Sequence, residues 1–191
     1  MASMLASLRD RHEITFLNVI FTDPWIRLLK SSTAMTELSN KSTQAAVLGG
    51  SGLIPFVTLA LASGLVAGSL SHSANFAFVV YAGVILSFLG GIQWGLAMGG
   101  RNAGTLTEEE FGMLLTMSVV PSLIAWGGVY AWNSLWGVLL LATGYFLALA
   151  VDHWSYGKAL IPRWFYVMRF VLTCVVVLCL SFVAIGNSIS A

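Results

Sequence analysis

The sequence predicts an all-α fold: a polytopic membrane protein with a bundle of five transmembrane helices, N-terminus on the cytoplasmic or matrix side and C-terminus opposite. Three observations predict it: a composition too apolar for a water-soluble surface, five apolar stretches of spanning length, and basic residues confined to one side. Of the 191 residues, 58% are hydrophobic and 9% charged, whereas an ordinary soluble domain carries roughly 25% charged residues. So few charges cannot cover a chain of this length with a soluble surface, so most of it must face lipid. The nine Lys and Arg form no dense basic stripe, which argues against a nucleic-acid partner.

Residues 1–44 form a polar extension that holds five of the nine basic residues. Within it, Ile14–Phe21 is apolar but far shorter than the roughly 20 residues a span needs. With Trp25 it suits a segment lying along the membrane surface. Asp10 and Glu13 interrupt any secretory signal and count against a mitochondrial presequence. Met35 opens an alternative polar start, so a targeting segment, a surface helix and an upstream extension all stay open.

Five apolar stretches follow, at about 45–68, 74–98, 111–131, 135–151 and 166–185, and a short tail, 186–191, closes the chain. Each is long enough to cross the hydrocarbon core. The polar segments 69–73, 99–110, 132–134 and 152–165 read as the connections. With five crossings every Lys and Arg falls on the N-terminal side: Arg9, Arg11, Arg27, Lys30, Lys41, Arg101, Lys158, Arg163 and Arg169 at the edge of the fifth span. All eight acids share that side. Four or six spans would break the partition. The positive-inside rule then sets the orientation, because moving cations across the apolar core against the membrane potential is unfavourable. Trp126, Tyr130, Trp132 and Trp136 near one face, and Trp154, Tyr156, Trp164 and Tyr166 near the other, read as interfacial belts.

Within the second span, Gly83, Ser87, Gly91, Gly95 and Gly99 recur every four residues. Small residues at that spacing let a neighbouring helix approach closely. Ala60, Gly64 and Gly68 give the first span a shorter stripe, and the two spans are expected to pack through these faces. Pro55 and Pro121 are kink candidates, each freeing a carbonyl one turn earlier, at Ser51 and Met117. Hydroxyls of Ser51, Thr58, Ser118 and Ser122 are positioned to re-satisfy the freed groups.

The membrane interior reads as almost free of ionisable side chains, the usual flag of intramembrane chemistry. Gln93, beside Trp94, is its most polar residue. Asp152, His153, Lys158 and Arg163 are placed in the last charged loop, where they suit contacts with one another, a partner or a lipid headgroup. His72 and His153 fall at opposite faces, and Cys174 and Cys179 are spaced for different faces of one helix. No catalytic or metal-binding motif occurs, so no catalytic residue, metal or cofactor is expected.

The segments SGLIPFVTLAL, YAGVILSFLGGIQWGLAMG, SVVPSLIAW and IPRWFYVMRFVLT, in this order, resemble the transmembrane protein 69 family, also called domain of unknown function 3429. The most specific piece is SFLGGIQWG, Ser87 to Gly95. The resemblance covers about residues 45–185 and implies an integral protein of bacterial inner membranes or mitochondria, with no activity attached. Three functions are compatible with these features. A non-enzymatic scaffold or accessory subunit, meeting lipid and a membrane-protein partner or a second copy through glycine-lined faces, is supported by the small loops and the glycines. A small transporter or channel for an uncharged or lipid-like solute draws on Pro55, Pro121 and Gln93. An intramembrane enzyme comes last, for want of a nucleophile and base.

Overall fold

The computed structural model describes residues 43–66 and 68–189, with side chains to Gly186. The expectations for residues 1–42 lie outside the described residues. By its internal contacts the chain divides into Met1–Ala45 and Ala46–Ala191; of the first unit only 43–45 are described, as helix. The second unit is built from α1 (Leu53–Leu65), α2 (Ser69–Asn102), α3 (Glu108–Tyr130), α4 (Leu135–Gly157) and α5 (Arg163–Ile189). Five spans, Thr43–Leu65, Ser69–Asn102, Glu108–Tyr130, Leu135–Gly157 and Arg163–Gly186, are long and apolar enough to cross a membrane. The number matches the sequence reading.

The helices α2 to α5 run longer than the apolar stretches that announced them, whereas the first span breaks at Gly52 and ends at Leu65, short of the expected 68. α2 has 34 residues, about 51 Å at 1.5 Å per residue, against a hydrocarbon core of about 30 Å. It absorbs the expected loop at 69–73 and runs on past Met98. α4 continues to Gly157 and α5 begins at Arg163, so the expected connection 152–165 shrinks to 158–162. Hydropathy marks the apolar middle of a helix. Its polar ends keep their hydrogen bonds and stay helical in the headgroup region.

Local chemistry sets several boundaries. α3 opens with a capping box: Thr107 accepts from the Glu110 amide while the Glu110 side chain accepts from the Thr107 amide. Glu108, Glu109 and Glu110 fill its first turn, where carboxylates favour the helix dipole. α4 ends where Ala159 takes a φ of 56° and the Leu160 amide returns to the Ser155 carbonyl at 2.9 Å. That position ordinarily takes glycine.

Each proline has its own solution. The chain breaks its helix with a turn at Gly52, so Pro55 lies in the first turn of α1, where a missing N–H costs no helical hydrogen bond. The Tyr81 hydroxyl donates to the Gly52 carbonyl at 2.9 Å, tying the break to α2. Pro121 is buried inside an unbroken α3. Ser51, Thr58 and Ser118 hydroxyls donate to Leu48, to Ile54 and Pro55, and to Leu115, rather than to the carbonyls the prolines free.

One apolar core runs through the bundle around Phe56, Phe78, Leu86, Leu141, Tyr145 and Leu180. Phe56 meets Phe78, Tyr81 and Tyr145 edge-on, and the buried Tyr145 hydroxyl donates to the Ala82 carbonyl of α2 at 2.8 Å. A second cluster, Ala97, Leu114 and Val151, lies near the end that carries the 103–107 and 158–162 connections.

The glycine row of α2 does not form one packing face between α1 and α2. A Cβ on Gly83 would lie 2.6 Å from Val129 of α3, whereas Gly91, Gly95 and Gly99 have nothing within 4 Å. Ser87 is half-buried and donates back to the Gly83 carbonyl. The reason is angular: at 3.6 residues per turn, a strict four-residue step drifts by about 40° each time. By Gly99 the row has wound to nearly the opposite face. In α1, Ala60 is buried and Gly64 meets Phe182 of α5, while Gly68 holds a φ of 77° before α2. The closest helix approaches use glycines outside the row. At Gly90 a Cβ would run into the Ser118 carbonyl oxygen, and at Gly137 into that of Ala131.

Candidate functional site

Along α4 the residues turned inward are Leu141, Tyr145, Ala148, Asp152 and Ser155, all buried. Their steps of four and three are those of a single helical stripe. The stripe is apolar until its last two turns, where it carries a carboxylate and a hydroxyl. α5 repeats the arrangement in reverse: Arg169 and Thr173 precede Val176, Leu180 and Val183 on its buried face. α2 contributes Gln93, in phase with buried Leu86, Leu89 and Ala97.

These stripes converge on Asp152. Its Oδ1 accepts from Gln93 Nε2 at 2.8 Å, and its Oδ2 from Arg169 Nε at 2.8 Å. The Asp152 side chain is 0% exposed and that of Arg169 6%. The node therefore links α2, α4 and α5 through one carboxylate. Asp152 lies five residues before the end of α4 and Arg169 six after the start of α5, placing them roughly 8–9 Å from those helix ends. Burial makes such a pair costly unless it is well bonded, and here both carboxylate oxygens have donors. Three further atoms of the node, Gln93 Oε1, Ser155 Oγ and Arg169 Nη2, are buried with no partner.

The expectation of an interior almost without ionisable side chains is thereby corrected. Asp152 is helical, not part of a loop, and it pairs with Arg169, which is buried rather than at the edge of the fifth span. The other residues singled out around it separate. His153, next to Asp152 but on the exposed side, has its Nδ1 3.2 Å from the Tyr166 hydroxyl. Lys158 pairs with Glu110 and lies over the Trp154 ring. Trp94 is half-exposed, and Arg163 is exposed at the start of α5. Arg101 completes the rim by pairing with Glu108. At the other end of the bundle His72 stacks edge-on against Trp132, and the Ser71 hydroxyl donates to the Ser63 carbonyl. Among the described residues no cluster of three His, Cys, Asp or Glu could hold a metal ion.

Five apolar spans in one helical bundle, locked at one end by a buried carboxylate, define a multi-pass membrane protein. The family model for "Protein of unknown function (DUF3429)" matches residues 41–185, and Transmembrane protein 69 of Xenopus tropicalis is 35% identical over 156 residues, 80% of this chain and 58% of that protein. The chain belongs to the transmembrane protein 69 family. It spans a little over half the length of the Xenopus relative. No solved structure matches.

Proposed function

We propose that the chain is a non-enzymatic scaffold or accessory subunit of a membrane assembly, with its N-terminus on the cytoplasmic or matrix side of a bacterial or mitochondrial inner membrane. One observation carries the reading: both oxygens of the buried carboxylate are engaged in joining three helices. An acid committed to holding a bundle in one arrangement suits a rigid platform better than a group that must exchange a proton or a ligand. The one-sided placement of Lys and Arg supports the orientation.

The test is to isolate the full chain from its native membrane in mild detergent. A stoichiometric second subunit, whose abundance falls when this chain is deleted, is the expected result. Recovery of the bare chain alone, with no membrane protein lost on deletion, would overturn the proposal. A second reading, a small transporter for an uncharged or lipid-like solute, draws on the three unpartnered atoms of the node. Solute uptake into proteoliposomes that is abolished by replacing Gln93 with Leu would favour it.

A further inference from the structure

A groove of about 310 Å³ opens on the outside of the bundle, lined by Ile92, Gly95 and Leu96 of α2 and by Ile161, Pro162 and Phe165 at the entry to α5. Its lining is apolar. Gly95 leaves space on its side: a Cβ there would have nothing within 4 Å. The groove lies between helices at the end of the bundle where the described cations gather. Three of these are spent: Arg101 on Glu108, Lys158 on Glu110 and Arg169 on Asp152. Arg163 is the described cation without an acidic partner. It is exposed, directly follows Pro162 of the groove wall, and begins a helix with no acid in its first turn. Trp164 beside it is 42% exposed, as suits a ring at headgroup level.

An apolar slot whose wall residue Pro162 is followed directly by an exposed, unspent cation matches a molecule with an apolar tail and an anionic head. We propose that the groove seats an acyl chain of an anionic phospholipid, with its phosphate held by Arg163. A second protein helix fits less well, because an exposed cation next to the groove wall complements an anionic headgroup, whereas an apolar helix would leave that charge unused. A zwitterionic lipid fills the same slot but offers Arg163 no net charge.

The test uses the full chain in detergent with phosphatidylglycerol and phosphatidylcholine of identical acyl chains, retained lipid being counted by native mass spectrometry. The anionic lipid should be retained about fivefold over the zwitterionic one, the preference expected from one cation near a membrane surface. Arg163→Gln should abolish that preference, Arg163→Lys should keep most of it, and Gly95→Leu should reduce retention of both lipids by filling the slot. Arg101→Gln serves as the charge control and should leave the preference intact. Equal retention of the two lipids by the unmodified chain overturns the proposal. So does an unchanged preference in Arg163→Gln, an equal loss in Arg101→Gln, or full retention in Gly95→Leu.

Discussion

Two sets of ion pairs sit at the same end of this bundle and differ in one respect. Arg101–Glu108 and Lys158–Glu110 form a rim across the connections in which three side chains are 46–81% exposed and that of Glu110 is 19% exposed. Arg169–Asp152 lies inside, almost fully enclosed. On the rim, water and salt screen the attraction, and long side chains lose freedom to keep one geometry. Inside, neither charge has an alternative partner in water. Removing one member there strands the other, so the same chemistry becomes a condition for the fold rather than an ornament on it.

The largest predicted effect follows directly. Arg169→Ala, or Asp152→Ala, should destabilise the protein by about 3–5 kcal/mol, the cost of an uncompensated buried charge. Thermal unfolding in detergent measures it. The double variant Asp152→Leu with Arg169→Met should recover much of the loss, since a buried pair replaced by apolar side chains of similar volume is often neutral. If the double variant is no more stable than the single ones, the comparison is wrong and the node holds the fold in some other way.

Gln93→Leu comes next. It removes the donor to Asp152 Oδ1, and losing one partner of a buried acceptor typically costs about 1–3 kcal/mol. The same change also deletes the unpartnered Gln93 Oε1, which offsets part of that cost. A loss near 1 kcal/mol is expected, measured in the same unfolding experiment. A loss as large as that of Arg169→Ala would place Gln93 on a level with the ion pair.

The number of helices was legible in the sequence because spanning length and one-sided charge are summed properties that tolerate errors at single positions. The node is not, because charge placement by side of the membrane groups Asp152 and Arg169 with the loop charges, and only helical phase turns them inward. A signal was available: Asp152 continues the three- and four-residue steps of Leu141, Tyr145 and Ala148, and Arg169 does the same toward Val176 and Leu180. The apolar stretch ends at Val151 while α4 runs on to Gly157, so hydropathy alone puts Asp152 in a loop. The glycine row departs from a single α1–α2 face for the converse reason. A perfect four-residue repeat looks like a face, yet the helix turns by 3.6, and Gly90, off the row, is where α2 comes close to the α3 backbone. That Gln93, Asp152 and Arg169 meet depends on the tertiary arrangement of three helices, 59 and 17 residues apart along the chain. No local pattern contains it.

The smallest effects belong to the rim, and one residue there separates two of them. Glu110 serves twice, accepting the Thr107 amide in the capping box and pairing with Lys158. Thr107→Ala removes the hydroxyl that accepts the Glu110 amide and should cost about 1 kcal/mol, as loss of a helix N-cap usually does. Lys158→Ala removes only an exposed partner and should cost less than Thr107→Ala, with the difference from the unmodified chain shrinking further as salt is raised. Unfolding midpoints of both variants at low and high salt test the ordering. If Lys158→Ala proves the more damaging and its effect resists salt, the Lys158–Glu110 pair is shielded in the membrane as the Arg169–Asp152 pair is. The boundary between rim and node would then lie further out along α4.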